Sequence, residues 1–153
     1  MAVPRLDRTD AMLLAWTLGT KLTVLALGVA ALWLATGSPP GLFDPWDRWD
    51  APHYTDIAVF GYMADDPGTL VPPPGYAQVF PGDLDLYIVF FPLFPWLVAA
   101  VNAVIGAPVA AAFVVTTVAS VFVAPMLYRL VAVDLGPRVG LWSAGLLLVF
   151  PTA

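Results

Sequence analysis

The chemistry of this chain is concentrated in one short stretch, Phe43-Asp44-Pro45-Trp46-Asp47-Arg48-Trp49-Asp50-Ala51-Pro52-His53-Tyr54. It holds three carboxylates, two tryptophans, a guanidinium and the single histidine of the sequence. Tryptophan and tyrosine favour the boundary between membrane and water, so the acids here are expected at headgroup depth. A carboxylate in that position can act as general base toward a hydroxyl if partial burial raises its pKa. Asp50 is the candidate. It also has an ordinary structural role open to it: Ala51-Pro52 suits a first helical turn, which makes Asp50 an N-cap. The two roles are compatible. On a helix His53 falls one turn after Trp49, and Tyr54 one turn after Asp50, so each pair is expected to meet. His53 stands alone, without Cys or a second His, which makes a poor zinc ligand set. Asp47 and Asp50 could hold a hard cation, but nothing in the pattern selects one, so neither a metal nor a cofactor is assigned.

These residues must be held by the rest of the chain, and its composition points to lipid as the solvent. Of 153 residues, 60% are hydrophobic and only 11% charged, with a mean hydropathy of +0.84. A soluble domain carries about 25% charged residues. Eight of the eleven acids lie between Asp44 and Asp85, where Arg48 is the only base, so a nucleic-acid partner is disfavoured. The absence of Cys rules out disulfides and thiolate sites.

The hydropathy pattern predicts an all-α, multi-pass integral membrane protein forming one membrane domain. Residues 11–35 form an apolar run long enough to cross a hydrocarbon core of roughly 30 Å. A signal peptide has an apolar region of only about 7–15 residues, so this run reads as an uncleaved anchor. Lys21 interrupts it, either snorkelling toward the interface or facing the bundle interior and an anionic lipid phosphate. Residues 36–86 read as an acidic loop, irregular over 63–83 because of Pro72-Pro73-Pro74-Gly75, with a helical start at 50–62. Residues 87–105 are broken by Pro92 and Pro95 and suit an interfacial or re-entrant helix. Residues 108–131 form a second span, with a kink expected at Pro125. A further span begins at 139 and is still apolar at Ala153, which reads as the N-terminal part of a longer protein. With Arg5 and Arg8 in the cytoplasm the first helix runs outward and loop 36–86 lies outside. If 87–105 does not cross, Arg129 and Arg138 return to the cytoplasm, as the same rule requires.

Two motifs carry a resemblance. Trp49-Asp50-x-x-His53-Tyr54-x-x-Ile57-Ala58-x-x-Gly61-Tyr62, followed by Phe90-Phe91-Pro92-Leu93-Phe94-Pro95, resembles the PIG-V family. These are integral membrane mannosyltransferases of the GT-C fold, including GPI mannosyltransferase II and bacterial relatives. The likeness spans roughly residues 5–153, and Tyr128-Arg129-Leu130 and Phe150-Pro151 add to it. It implies a GT-C helical bundle with a large non-cytoplasmic first loop carrying juxtamembrane helices. It further implies an inverting glycosyltransferase, typically a mannosyltransferase, that uses a polyprenyl-phosphate sugar as donor and a glycan or glycolipid hydroxyl as acceptor. Asp50 would then be the catalytic base. Arg48 and His53 would bind the donor phosphate or sugar, and Trp49 and Tyr54 would shape the pocket. The lipid-linked sugar is a co-substrate, so no cofactor is implied. The expected location is a membrane, the cell membrane in a bacterium, with the N-terminus cytoplasmic. The chain ends where a further Tyr and acid of the family belong, so these residues alone are expected to be inactive. The alternative is a non-catalytic multi-pass protein, a transporter half or assembly subunit, in which Asp50 only caps a helix.

Overall fold

The computed structural model describes residues 7–62 and 89–149, and every regular element within them is helical. The expectations for Arg5, for the irregular stretch 63–83 and for Phe150-Pro151 lie outside the described residues.

Helix α1 spans Arg8–Thr36 and so begins before the expected position 11. The reason is a capping box. Asp7 Oδ1 accepts from the backbone N–H of Asp10 at 2.8 Å, and Asp10 Oδ2 accepts from that of Asp7 at 3.1 Å. Two otherwise orphaned donors are satisfied, which extends the helix into what reads as a polar tail. Asp10, Leu13, Thr17 and Leu25 form the buried stripe of α1. Lys21 has the spacing of that stripe and is half-buried, so it belongs to the packed side of the helix.

Helix α2 covers Ala51–Phe60 and α3 covers Leu93–Ile105. Pro95 does not break α3: it is the third helical residue, where a backbone N–H has no intrahelical partner anyway. The 13 residues of α3 give about 20 Å of helix, starting later than the expected 87 because Pro92 is its N-cap. Helix α4 runs Pro108–Leu135, unbroken through Pro125 and past the expected end at 131. Helix α5 runs Pro137–Val149, starting two residues before the expected 139.

Helices α1 and α4 are each long and apolar enough to cross a membrane. Their large apolar side chains point outward: Leu27 is 63% and Leu34 87% exposed on α1, Phe122 61% and Val133 83% on α4. A sheath of this kind is costly in water and compatible with hydrocarbon.

The chain divides into two units, Met1–Leu42 with Thr116–Ala153, and Phe43–Val115. In the first, Arg129 Nη2 lies 2.5 Å from Asp10 Oδ2, tying the first turn of α1 to the later part of α4. The link from α4 to α5 is tight. Gly136 adopts φ 86°, a left-handed conformation that suits glycine, and donates to the Ala132 carbonyl at 3.2 Å. One turn later Gly140 is buried against α4: a Cβ placed there would come within 2.8 Å of the Tyr128 carbonyl oxygen and 3.1 Å of Ala132 Cβ. Gly140→Leu should therefore separate α5 from α4 and cost about 1–3 kcal/mol, the usual range for overpacking. Unfolding in a denaturing-detergent titration checks this; an unchanged midpoint would contradict the close approach. In the second unit α2 packs on α3, with Thr55, Ile57, Pro95 and Val98 buried.

Candidate functional site

The segment leading into α2 is anchored locally. Phe43 sets its ring against Phe113 of α4, with centroids 5.6 Å apart. Asp44–Trp46 then form one 3-10 turn, closed by Trp46 N–H donating to the Phe43 carbonyl at 2.9 Å. A further turn brings Ala51 N–H to the Arg48 carbonyl at 3.1 Å. Inside that turn Trp49 adopts φ 53°, a left-handed conformation that is unfavourable for a residue with a Cβ. The two turns place Asp50 at the N-cap position of α2.

Asp50 occupies the capping position without capping. Its side chain makes no hydrogen bond to the helix, and its backbone is already helical at φ −83°, ψ −11°. An N-cap side chain reaches its N–H groups from extended backbone, so the carboxylate is turned away from them. The capping role expected from Ala51-Pro52 is corrected to this extent: Asp50 marks the helix start but does not bond it. Asp50 is exposed.

The expected meeting of Trp49 with His53 does not form. Trp49 is 94% exposed on a left-handed backbone and does not stack on His53. His53 instead packs on Phe90, with ring centroids 5.5 Å apart. Tyr54 sits edge-on between two rings of the second motif, 4.9 Å from Phe90 and 5.2 Å from Phe94. Aromatic pairs at these separations contribute about 0.5–1.5 kcal/mol beyond their buried area. Arg48 is exposed and makes no ion pair among the described residues, so Asp47 does not neutralise it. The structure thus brings His53 and Tyr54 together with Phe90 and Phe94, leaves Asp50 at the open end of α2, and leaves Arg48 and Trp49 free of that cluster. Among the described residues no group of three His, Asp or other ligating side chains is gathered around a common point.

Tyr62 is the member of the cluster to which sequence reasoning gave no role, although it closes the first motif. Its hydroxyl donates to the Phe90 carbonyl at 2.7 Å, fastening the end of α2 to the approach to α3. Desolvation raises the pKa of this phenol, and the neighbouring Tyr54 raises it further. A raised pKa means the folded state holds the proton more tightly than the unfolded chain, which titrates near about 10. The stabilisation is therefore complete below that value and is lost as pH rises through the higher folded value. Tyr62→Phe should remove this alkaline dependence and weaken α2–α3 packing by about 1 kcal/mol. Amide exchange across α2 as a function of pH checks it; an identical alkaline profile in the variant would contradict the assignment.

Compared with known proteins, the chain matches no family model, no curated protein and no solved structure.

Proposed function

We propose that this chain serves a membrane glycosyltransferase, most simply a mannosyltransferase, which moves a sugar from a polyprenyl-phosphate donor to an acceptor hydroxyl on the non-cytoplasmic face. The observation that carries the reading is the packing of His53 and Tyr54 on Phe90 and Phe94. Two motifs far apart in the chain, which together resemble the PIG-V family, meet in one aromatic cluster, and Asp50 stands at the start of the helix that carries His53 and Tyr54. A helix-start aspartate without a capping bond keeps its oxygens available for a substrate proton.

In this mechanism Asp50 takes the proton of the acceptor hydroxyl as its oxygen attacks the anomeric carbon of the donor. The bond between that carbon and the phosphate oxygen breaks, polyprenyl phosphate leaves, and the anomeric configuration inverts. Arg48 and His53 would hold the phosphate. The exposed indole of Trp49 suits the interface or a sugar ring. Desolvation of Asp50 falls to the bound substrates and the surrounding lipid. The direct test is transfer of radiolabelled sugar from a lipid-linked donor in membranes containing the full natural protein. Transfer no greater than in membranes lacking the protein would defeat the proposal.

The same reading requires α3 to stay on the outer side while α1 and α4 cross in opposite directions. The Asp10–Arg129 pair supports this, since it joins the start of α1 to the later part of α4. Accordingly Ala107→Cys should react with an impermeant thiol reagent added outside, and Leu135→Cys should not. The opposite pattern would place the site on the wrong face. The non-catalytic alternative draws on a different observation: the Asp10–Arg129 pair and Lys21 put charged groups on packed helix faces, as transport proteins do. Activity in the transfer assay separates the two.

A further inference from the structure

Within the first unit, α1 and α5 leave between them an open groove of about 660 Å³, lined by Trp16 and Thr20 from α1 and by Arg138, Leu141, Trp142 and Leu146 from α5. We propose that this groove is a binding site for an anionic glycerophospholipid, with the phosphate on Arg138 and one acyl chain lying along the groove.

Three features of the groove point to this occupant. The first is charge. Arg138 is the only charged residue lining it, is exposed, and makes no ion pair among the described residues, whereas Arg129 is already committed to Asp10. A guanidinium at the head of an apolar channel matches a phosphate followed by a hydrocarbon tail, and its planar fork suits phosphate oxygens. The second is length. Arg138 lies in the first turn of α5 and Val149 is its last residue, both lining the groove. Eleven residues of helix rise roughly 16 Å, close to half of the roughly 30 Å hydrocarbon core, which is the depth of a single leaflet. A glycerophospholipid chain fills that depth, while a polyprenyl chain is far longer. The third is access. Trp16 is 46%, Trp142 72% and Leu146 61% exposed, so these side chains turn outward. The floor is formed where α5 comes close to α1: a Cβ on Gly145 would lie 3.8 Å from the Trp16 ring. The site requires membrane insertion but no glycosyl transfer, so a protein inactive in the sugar assay can still pass its test.

The protein is reconstituted in phosphatidylcholine bilayers containing increasing fractions of phosphatidylglycerol with brominated acyl chains, or of brominated phosphatidylcholine as control. Quenching of Trp16 and Trp142 is obtained as the difference between wild type and the W16F/W142F variant. Half-maximal quenching should need about fivefold less brominated phosphatidylglycerol than brominated phosphatidylcholine, the selectivity one arginine confers toward anionic lipid. Arg138→Gln should abolish the preference and Arg138→Lys should keep most of it, with unchanged helical circular dichroism in both. Equal quenching by the two lipids in wild type, or a preference that survives in Arg138→Gln, would overturn the proposal. So would displacement of phosphatidylglycerol by an equal fraction of polyprenyl phosphate, or the absence of quenching by either lipid, which would mean that a second copy of the chain covers the groove.

Discussion

Asp50→Asn is expected to reduce sugar transfer from a polyprenyl-phosphate donor by at least about a hundredfold, while leaving the amount of protein in the membrane unchanged. Asp44→Asn and Asp47→Asn should retain most of the activity. Charge does not choose among the three acids, which share one segment; position does. Asp44 opens the 3-10 turn and Asp47 closes it, whereas Asp50 is held at the start of α2, one turn before the tyrosine that sits on Phe90 and Phe94. The Asn replacement is clean because no cap bond is lost: the Asp50 side chain makes none. Any loss of transfer therefore reads on the chemistry rather than on the stability of α2. Assays at matched protein level on all three variants decide it. Near-normal transfer by Asp50→Asn, or loss confined to Asp47→Asn, would assign the base to another residue.

Arg129→Gln is expected to destabilise the first unit by leaving a buried carboxylate without its partner. Asp10 is 1% exposed and Arg129 48% exposed, so the carboxylate depends on a partner that still touches solvent. Asp10 Oδ1 has no hydrogen-bond partner, and without Arg129 only the Asp7 N–H would remain on Oδ2. Removing one partner of a fully buried pair costs about 3–5 kcal/mol. Solvent access at Arg129 lowers the expectation to roughly 2 kcal/mol, within the range for an unsatisfied buried group. Adding Asp10→Asn to Arg129→Gln should recover part of the loss, because the uncompensated charge disappears. Denaturing-detergent titrations of the two single variants and the double variant form the cycle. Strictly additive losses would show that the pair is not coupled.

The helical elements were legible because hydropathy and proline placement act over many residues. The runs that became α1, α3, α4 and α5 stand out by length and apolar content alone. Their ends were less legible, and each shift has a local cause. Asp7-x-x-Asp10 is a capping box written with two aspartates, a signal present in the sequence but hidden inside a polar tail. Pro95 looked like a breaker because it lies close to Pro92, yet a proline in a first turn costs a helix little. The candidate site was legible as a motif but not as a geometry. Spacing on α2 predicted that His53 would meet Trp49; the left-handed backbone at Trp49 prevents it, and no residue type there announces that conformation. The partners that His53 and Tyr54 find, Phe90 and Phe94, lie across a long intervening segment, as Arg129 does from Asp10. Contacts at such separations are set by packing and leave no periodic trace in one sequence.

A reaction with chemically defined substrates decides whether a polyprenyl-phosphate sugar is the donor. The full natural protein, purified in lipid, is given a polyprenyl-phosphate mannose labelled in the sugar, with a glycolipid acceptor, and in parallel a nucleotide-activated mannose in place of the lipid donor. Label is expected in the acceptor from the lipid donor alone, with one polyprenyl phosphate released per sugar transferred and an anomeric configuration in the product opposite to that of the donor. Transfer from the nucleotide donor without the lipid, or retention of configuration, would contradict it.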